Sequence, residues 1–125
     1  MKKYNIFKKV IFSASLVGVV STNLFSEEIN NQDYLKAVES FKNNSYKDSY
    51  IYLNKYLQTN STNKNIAFML GRSAYELGKY AEALSSYNLI LMEEPSNTRV
   101  KLEVAQTYFA MGKYDEAKEN FEDIL

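Results

Sequence analysis

Lys64 to Asn97 reads KNIAFMLGRSAYELGKYAEALSSYNLILMEEPSN, and Thr98 to Leu125 reads TRVKLEVAQTYFAMGKYDEAKENFEDIL. Laid over one another at a step of thirty-four residues, the two align without a gap. Gly78-Lys79-Tyr80 falls on Gly112-Lys113-Tyr114, Ala83 on Ala117, Tyr87 on Phe121, Ile90 on Ile124 and Leu91 on Leu125. A fixed period of a few tens of residues is the signature of a stacked repeat, in which each unit buries its apolar face only against its neighbours.

A further thirty-four residues back stand Asn44-Ser45-Tyr46, Ser49, Leu53, Tyr56 and Leu57. These keep the aromatic, small and aliphatic classes while the glycine becomes asparagine. Three repeats follow, at about 30–63, 64–97 and 98–125, the last incomplete. Within them, Ala67, Leu70, Ala74 and Leu77, and then Ala83, Leu84, Tyr87 and Leu91, trace the i, i+3, i+4, i+7 stripe of a helix with one buried face. The spacing predicts six helices, at Asn31–Asn43, Tyr46–Thr59, Asn63–Leu77, Tyr80–Glu94, Thr98–Met111 and Tyr114–Leu125.

The turn inside each pair needs a residue that tolerates a left-handed backbone, and Asn44, Gly78 and Gly112 are the residue types that do so at least cost. Ala37, Gly71 and Ala105, with Ser49, Ala83 and Ala117, are small where two helices of a pair come closest. Pro95 ends the fourth helix, and Ser96, Asn97 and Thr98 are suitable caps for the fifth.

Leu70, Gly71, Gly78, Tyr80, Ala83, Tyr87 and Pro95 together resemble the tetratricopeptide repeat family. The resemblance implies an all-α fold, a right-handed superhelical array of antiparallel helix pairs, or α-solenoid, that binds other polypeptides. It implies that the second, fifth, ninth and twelfth residues of each first helix face a concave groove. Those are Asn31, Tyr34, Val38 and Phe41; Asn65, Phe68, Arg72 and Tyr75; and Arg99, Leu102, Gln106 and Phe109. Two ladders result, Tyr34-Phe68-Leu102 and Phe41-Tyr75-Phe109, with Arg72, Arg99 and Gln106 as polar anchors for a protein or peptide ligand. The same aromatics also suit packing between neighbouring repeats. A clamp for a C-terminal carboxylate, which some members build from first-helix Lys, Asn and Arg, is not expected with Tyr34 and Val38 in the first repeat.

The remaining composition excludes more than it assigns. Among 125 residues there is no Cys and no His, so thiol nucleophiles, disulfides, imidazole bases and the usual zinc or haem ligands are absent. No cofactor is expected. Glu27-Glu28 and Glu93-Glu94 are adjacent carboxylates without a convergent partner, and an enzyme is not expected. Glu82, Lys113, Asp115, Glu116, Lys118 and Glu119 read as solvated faces.

Residues 1–26 read as an address. Met1 to Lys9 is basic, Val10 to Val20 (VIFSASLVGVV) is apolar, and cleavage after Ser21 or Ser26 would place a small residue at the cut. An uncleaved anchor is the other reading, but this run is short and interrupted for a hydrocarbon core of about 30 Å. Without a cysteine after the run there is no lipoprotein signal. Removing Lys2, Lys3, Lys8 and Lys9 leaves eleven basic against fifteen acidic side chains over 27–125, and nucleic-acid binding is not expected. The expectation is an exported, periplasmic interaction scaffold. Asn97 to Leu125 is also similar to the repeat part of outer-membrane surface lipoprotein assembly modifiers. That likeness implies a second reading, the periplasmic domain of an export machine whose β-barrel lies outside this sequence.

Overall fold

The computed structural model describes residues 32–125; the run expected to be an export signal, the Glu27-Glu28 pair and Asn31 lie outside the described residues. Six helices follow in order: α1 (residues 32–42), α2 (Tyr46–Leu57), α3 (Lys64–Glu76), α4 (Tyr80–Glu93), α5 (Thr98–Ala110) and α6 (Tyr114–Ile124). Apart from the start of α1, which meets the edge of the described residues, every end falls within two residues of the helix expected from the spacing. From α2 onward each helix packs against the next in sequence, which gives an array of antiparallel pairs.

The three turns share one hydrogen-bonding pattern. In the second, the Gly78 amide donates to the Tyr75 carbonyl at 3.0 Å and the Lys79 amide to the Ala74 carbonyl at 2.8 Å. Asn44 with Ser45, and Gly112 with Lys113, repeat both bonds onto Phe41 and Ser40 and onto Phe109 and Tyr108. This is the Schellman closure, which needs a left-handed residue after the last helical one. Asn44, Gly78 and Gly112 have φ of 60°, 77° and 78°. A ring pair braces each turn: Phe41 on Tyr46, Tyr75 on Tyr80 and Phe109 on Tyr114, with centroids 5.8, 5.6 and 5.1 Å apart. Asparagine supplies the two side-chain caps between pairs. Asn63 Oδ1 accepts from the Ile66 amide at 2.9 Å, and Asn97 Oδ1 from the Val100 amide at 3.0 Å. Of the three caps expected for α5, the structure uses Asn97.

The small residues sit where the repeat places them. Ala37, Ser49, Gly71, Ala83, Ala105 and Ala117 are all buried. Gly71 is demanded by contact rather than by backbone. A Cβ built there would lie 2.5 Å from Cε1 of Tyr87, so the tyrosine ring lies directly on the glycine. Tyr87 is fully buried and belongs to a core with Ala67, Ala74, Ala83, Ile90, Val100 and Val104 that joins α3, α4 and α5. Ala37, Leu53 and Ile66 form a second core under α1, α2 and α3. Across pairs, the Tyr50 hydroxyl on α2 donates to Glu82 on α4.

Candidate interaction face

The side chains expected to line a groove share the first helices, but their surroundings differ sharply from one end to the other. Tyr34 is half-buried, packed on the second core with its ring 5.5 Å from Tyr56. Phe41 and Tyr75 are half-buried in the turn-bracing pairs already described, and Tyr75 also packs on the main core. Phe68 is half-buried against that core, 6.2 Å from Tyr87. On α5 the picture changes. Leu102 is 36% exposed and Phe109 58%, and Gln106 between them is exposed. The three lie along one stripe of α5, at i, i+4 and i+7. Architecture therefore absorbs much of the ladder at α1 and α3 and leaves apolar surface at α5.

Two of the three expected anchors, Arg72 and Arg99, converge, and they do so on a residue that the repeat pattern does not single out. Glu103 is 6% exposed. Its Oε1 lies 3.5 Å from Arg72 Nη1 and 3.5 Å from the Tyr87 hydroxyl, and its Oε2 3.4 Å from Arg99 Nε. Arg72 also pairs with Glu76 on its own helix at 3.0 Å. Two rings hold its guanidinium, with centroids 5.8 Å away at Tyr46 and 5.7 Å at Tyr75. Arg99 lies 5.0 Å over the ring of Phe68. Burial, and next the Glu103 carboxylate, raise the Tyr87 phenol well above the ordinary tyrosine value, so it stays protonated and donates to Glu103. Thr107 ties the same turn of α5, its hydroxyl donating to the Glu103 carbonyl at 2.6 Å.

One signal in the sequence could have found this residue. At the step of thirty-four, Glu103 falls on Met69 and Leu35, so a carboxylate occupies a position that is apolar in both earlier repeats.

Elsewhere, a cleft of about 150 Å³ opens between the start of α3 and the end of α4, lined by Ala67, Leu89, Ile90 and Met92 among others. None of the positions expected to face a groove lines it. Among the described residues no group of His, Cys, Asp or Glu could hold a metal ion, and no helix is long and apolar enough to cross a membrane.

A protein-family model described as anaphase-promoting complex, cyclosome, subunit 3 matches residues 42–124. The chain belongs to this family of tetratricopeptide-type repeats. The family membership places the helix pairs among interaction scaffolds. Solved structures of MamA, itself a protein of this repeat type, are similar over about three quarters of this chain. A mutant form of MamA superposes with a TM-score of 0.69 at 25% identity, covering 76% of this chain and 69% of that one. MamA MSR-1 gives 0.68 at 25% identity over 76% and 55%. MamA AMB-1 gives 0.64 at 27% identity over 70% and 52%. The chain thus spans only about half the length of the last two. No curated protein matches it.

Proposed function

We propose that the face formed by α1, α3 and α5 takes a segment of another polypeptide, with the α5 stripe Leu102, Gln106 and Phe109 as its main contact and Arg99 and Tyr75 beside it. One observation carries this reading. Phe109 keeps 58% of its surface in water on a well-packed helix, although its repeat equivalents Phe41 and Tyr75 are half-buried. Large apolar side chains that a fold leaves uncovered along one stripe are the usual anchors of an interface, and a handful of them carry most of its energy. Tyr34, Phe41 and Phe68, more deeply packed, shape the face rather than grip. The basic and then apolar run from Met1 to Val20 extends the proposal to a scaffold acting in the periplasm. The likeness of Asn97 to Leu125 to lipoprotein assembly modifiers adds service to an outer-membrane export machine as a narrower form of it.

The test is photo-cross-linking in the full chain expressed in a Gram-negative host, with the reactive amino acid at Gln106 and cell fractions analysed separately. A discrete cross-linked polypeptide in the periplasmic fraction is expected. The pair Leu102→Ala with Phe109→Ala should abolish it, and Met92→Ala, an exposed apolar side chain on α4, should leave it. An unchanged cross-link in the double variant removes the groove from the proposal. Recovery of the chain only from the cytoplasm removes the export.

A further inference from the structure

Glu103 is a charged group at an apolar position of the repeat, and burying a carboxylate is costly unless it is paired. Its partners are unusual in their source. Arg72 comes from α3, Arg99 from α5 itself and the Tyr87 hydroxyl from α4, each 3.4 to 3.5 Å from a carboxylate oxygen. The two arginines hold groove positions, and rings keep both in place, Arg72 between Tyr46 and Tyr75 and Arg99 over Phe68. Such an arginine pair is a natural receptor for a carboxylate, because guanidinium donors match its two oxygens. Here the chain's own carboxylate occupies that place.

We propose that Glu103 is a specificity-determining residue of the groove: an internal carboxylate that neutralises Arg72 and Arg99, so that acidic segments are turned away and a neutral, apolar segment is accepted. The inference rests on the groove reading proposed above. An incoming carboxylate meets the Glu103 charge across a short distance in a partly dry site, and like charges there are discriminated strongly. With Glu76 already paired to Arg72, no uncompensated cation is left at the centre of the face. The apolar stripe on α5 then does the selecting.

Glu103→Gln keeps the size of the side chain and removes the charge; Glu103→Met restores the residue type of the preceding repeat and serves if the glutamine variant folds poorly. Two measurements on the full chain separate the possibilities. The first is thermal unfolding in citrate against sodium chloride at equal ionic strength. In citrate the native chain should gain only the general stabilisation that an excluded anion gives any folded protein, whereas either variant should melt several degrees higher still, because the arginines released from Glu103 bind its carboxylates. The second uses two labelled peptides with the same leucine and phenylalanine anchors, carrying glutamines in one and glutamates in the other. The native chain should prefer the glutamine peptide, and the variants should shift toward the glutamate peptide by about tenfold, or about 1.4 kcal/mol. Citrate that leaves the variants unmoved, or stabilises the native chain equally, overturns the inference. If citrate stabilises the variants beyond the native chain while neither peptide binds any form, the masking stands and the groove reading fails.

Discussion

The α3–α4 pair and the α5–α6 pair are built on one pattern, and they solve the same packing problem differently. In the earlier pair a tyrosine ring lies against a glycine: Tyr87 is wholly buried and leaves no room for a Cβ at Gly71. In the later pair the equivalent residues are Phe121, half-buried, and Ala105. The earlier pair is flanked by helices on both sides, and its ring belongs to a core drawn from α3, α4 and α5. The charged position inverts the contrast, since Met69 in α3 lies against an apolar cluster whereas Glu103 in α5 collects two arginines and a phenol. One repeat thus fills the position with packing and the next with a buried charge cluster. Side chains at equivalent positions are free to diverge because the turn and the small contact residues hold the backbone.

The sharpest way to break this comparison is Tyr87→Ala. Emptying a fully buried aromatic site costs about 3–5 kcal/mol, enough to threaten a domain of this size. Phe121→Ala, at a half-buried site, should cost clearly less. Urea denaturation followed by circular dichroism compares them, and equal midpoints would mean that the two pairs are packed alike. Next comes the contact itself. Gly71→Ala should destabilise by about 1–3 kcal/mol through overpacking against the Tyr87 ring, against its helix-propensity gain. The reverse change, Ala105→Gly, should cost about 1 kcal/mol through backbone entropy. Stability that rises in Gly71→Ala would show that the ring yields at no cost.

The smallest effect concerns an ion pair that links the start of α3 to the end of α4. The hydrogen bond from Lys64, and next the one from Asn97, hold the Glu94 carboxyl below its ordinary value of 4.5. A carboxyl lowered in the folded state contributes stability that is complete above its unfolded value and is lost as pH falls through the folded one. Glu94→Gln should therefore flatten the pH dependence of the melting temperature only in the acid range, at and below the ordinary carboxylate value. The pair is exposed, so the change should be slight and should shrink with salt. A difference that persists at neutral pH and high salt would point to packing at that corner instead of charge.

Much of the fold was legible because its demands are local. A left-handed residue after a helix excludes most side chains, so Asn44, Gly78 and Gly112 marked all three turns. The cap at Asn97 was one of three candidates, and choosing among them required the hydrogen bond to Val100. The face was legible only in outline. Repeat position names the residues of a first helix that point one way, but it says nothing of how far a neighbour covers each one. Phe68 and Phe109 read as the same kind of residue in the sequence; one packs on the main core and the other stands in water.

By itself the sequence determined the period, the helix pairs, the turns and the close-contact positions, because each follows from the chemistry of residues a few places apart. Only the tertiary structure decided that Arg72 and Arg99 are committed to Glu103 and that Leu102 and Phe109 are not covered. Arg72 and Glu103 lie thirty-one residues apart in the chain. A pair at that distance meets only after α3, α4 and α5 have stacked, so its existence is a property of the packed array.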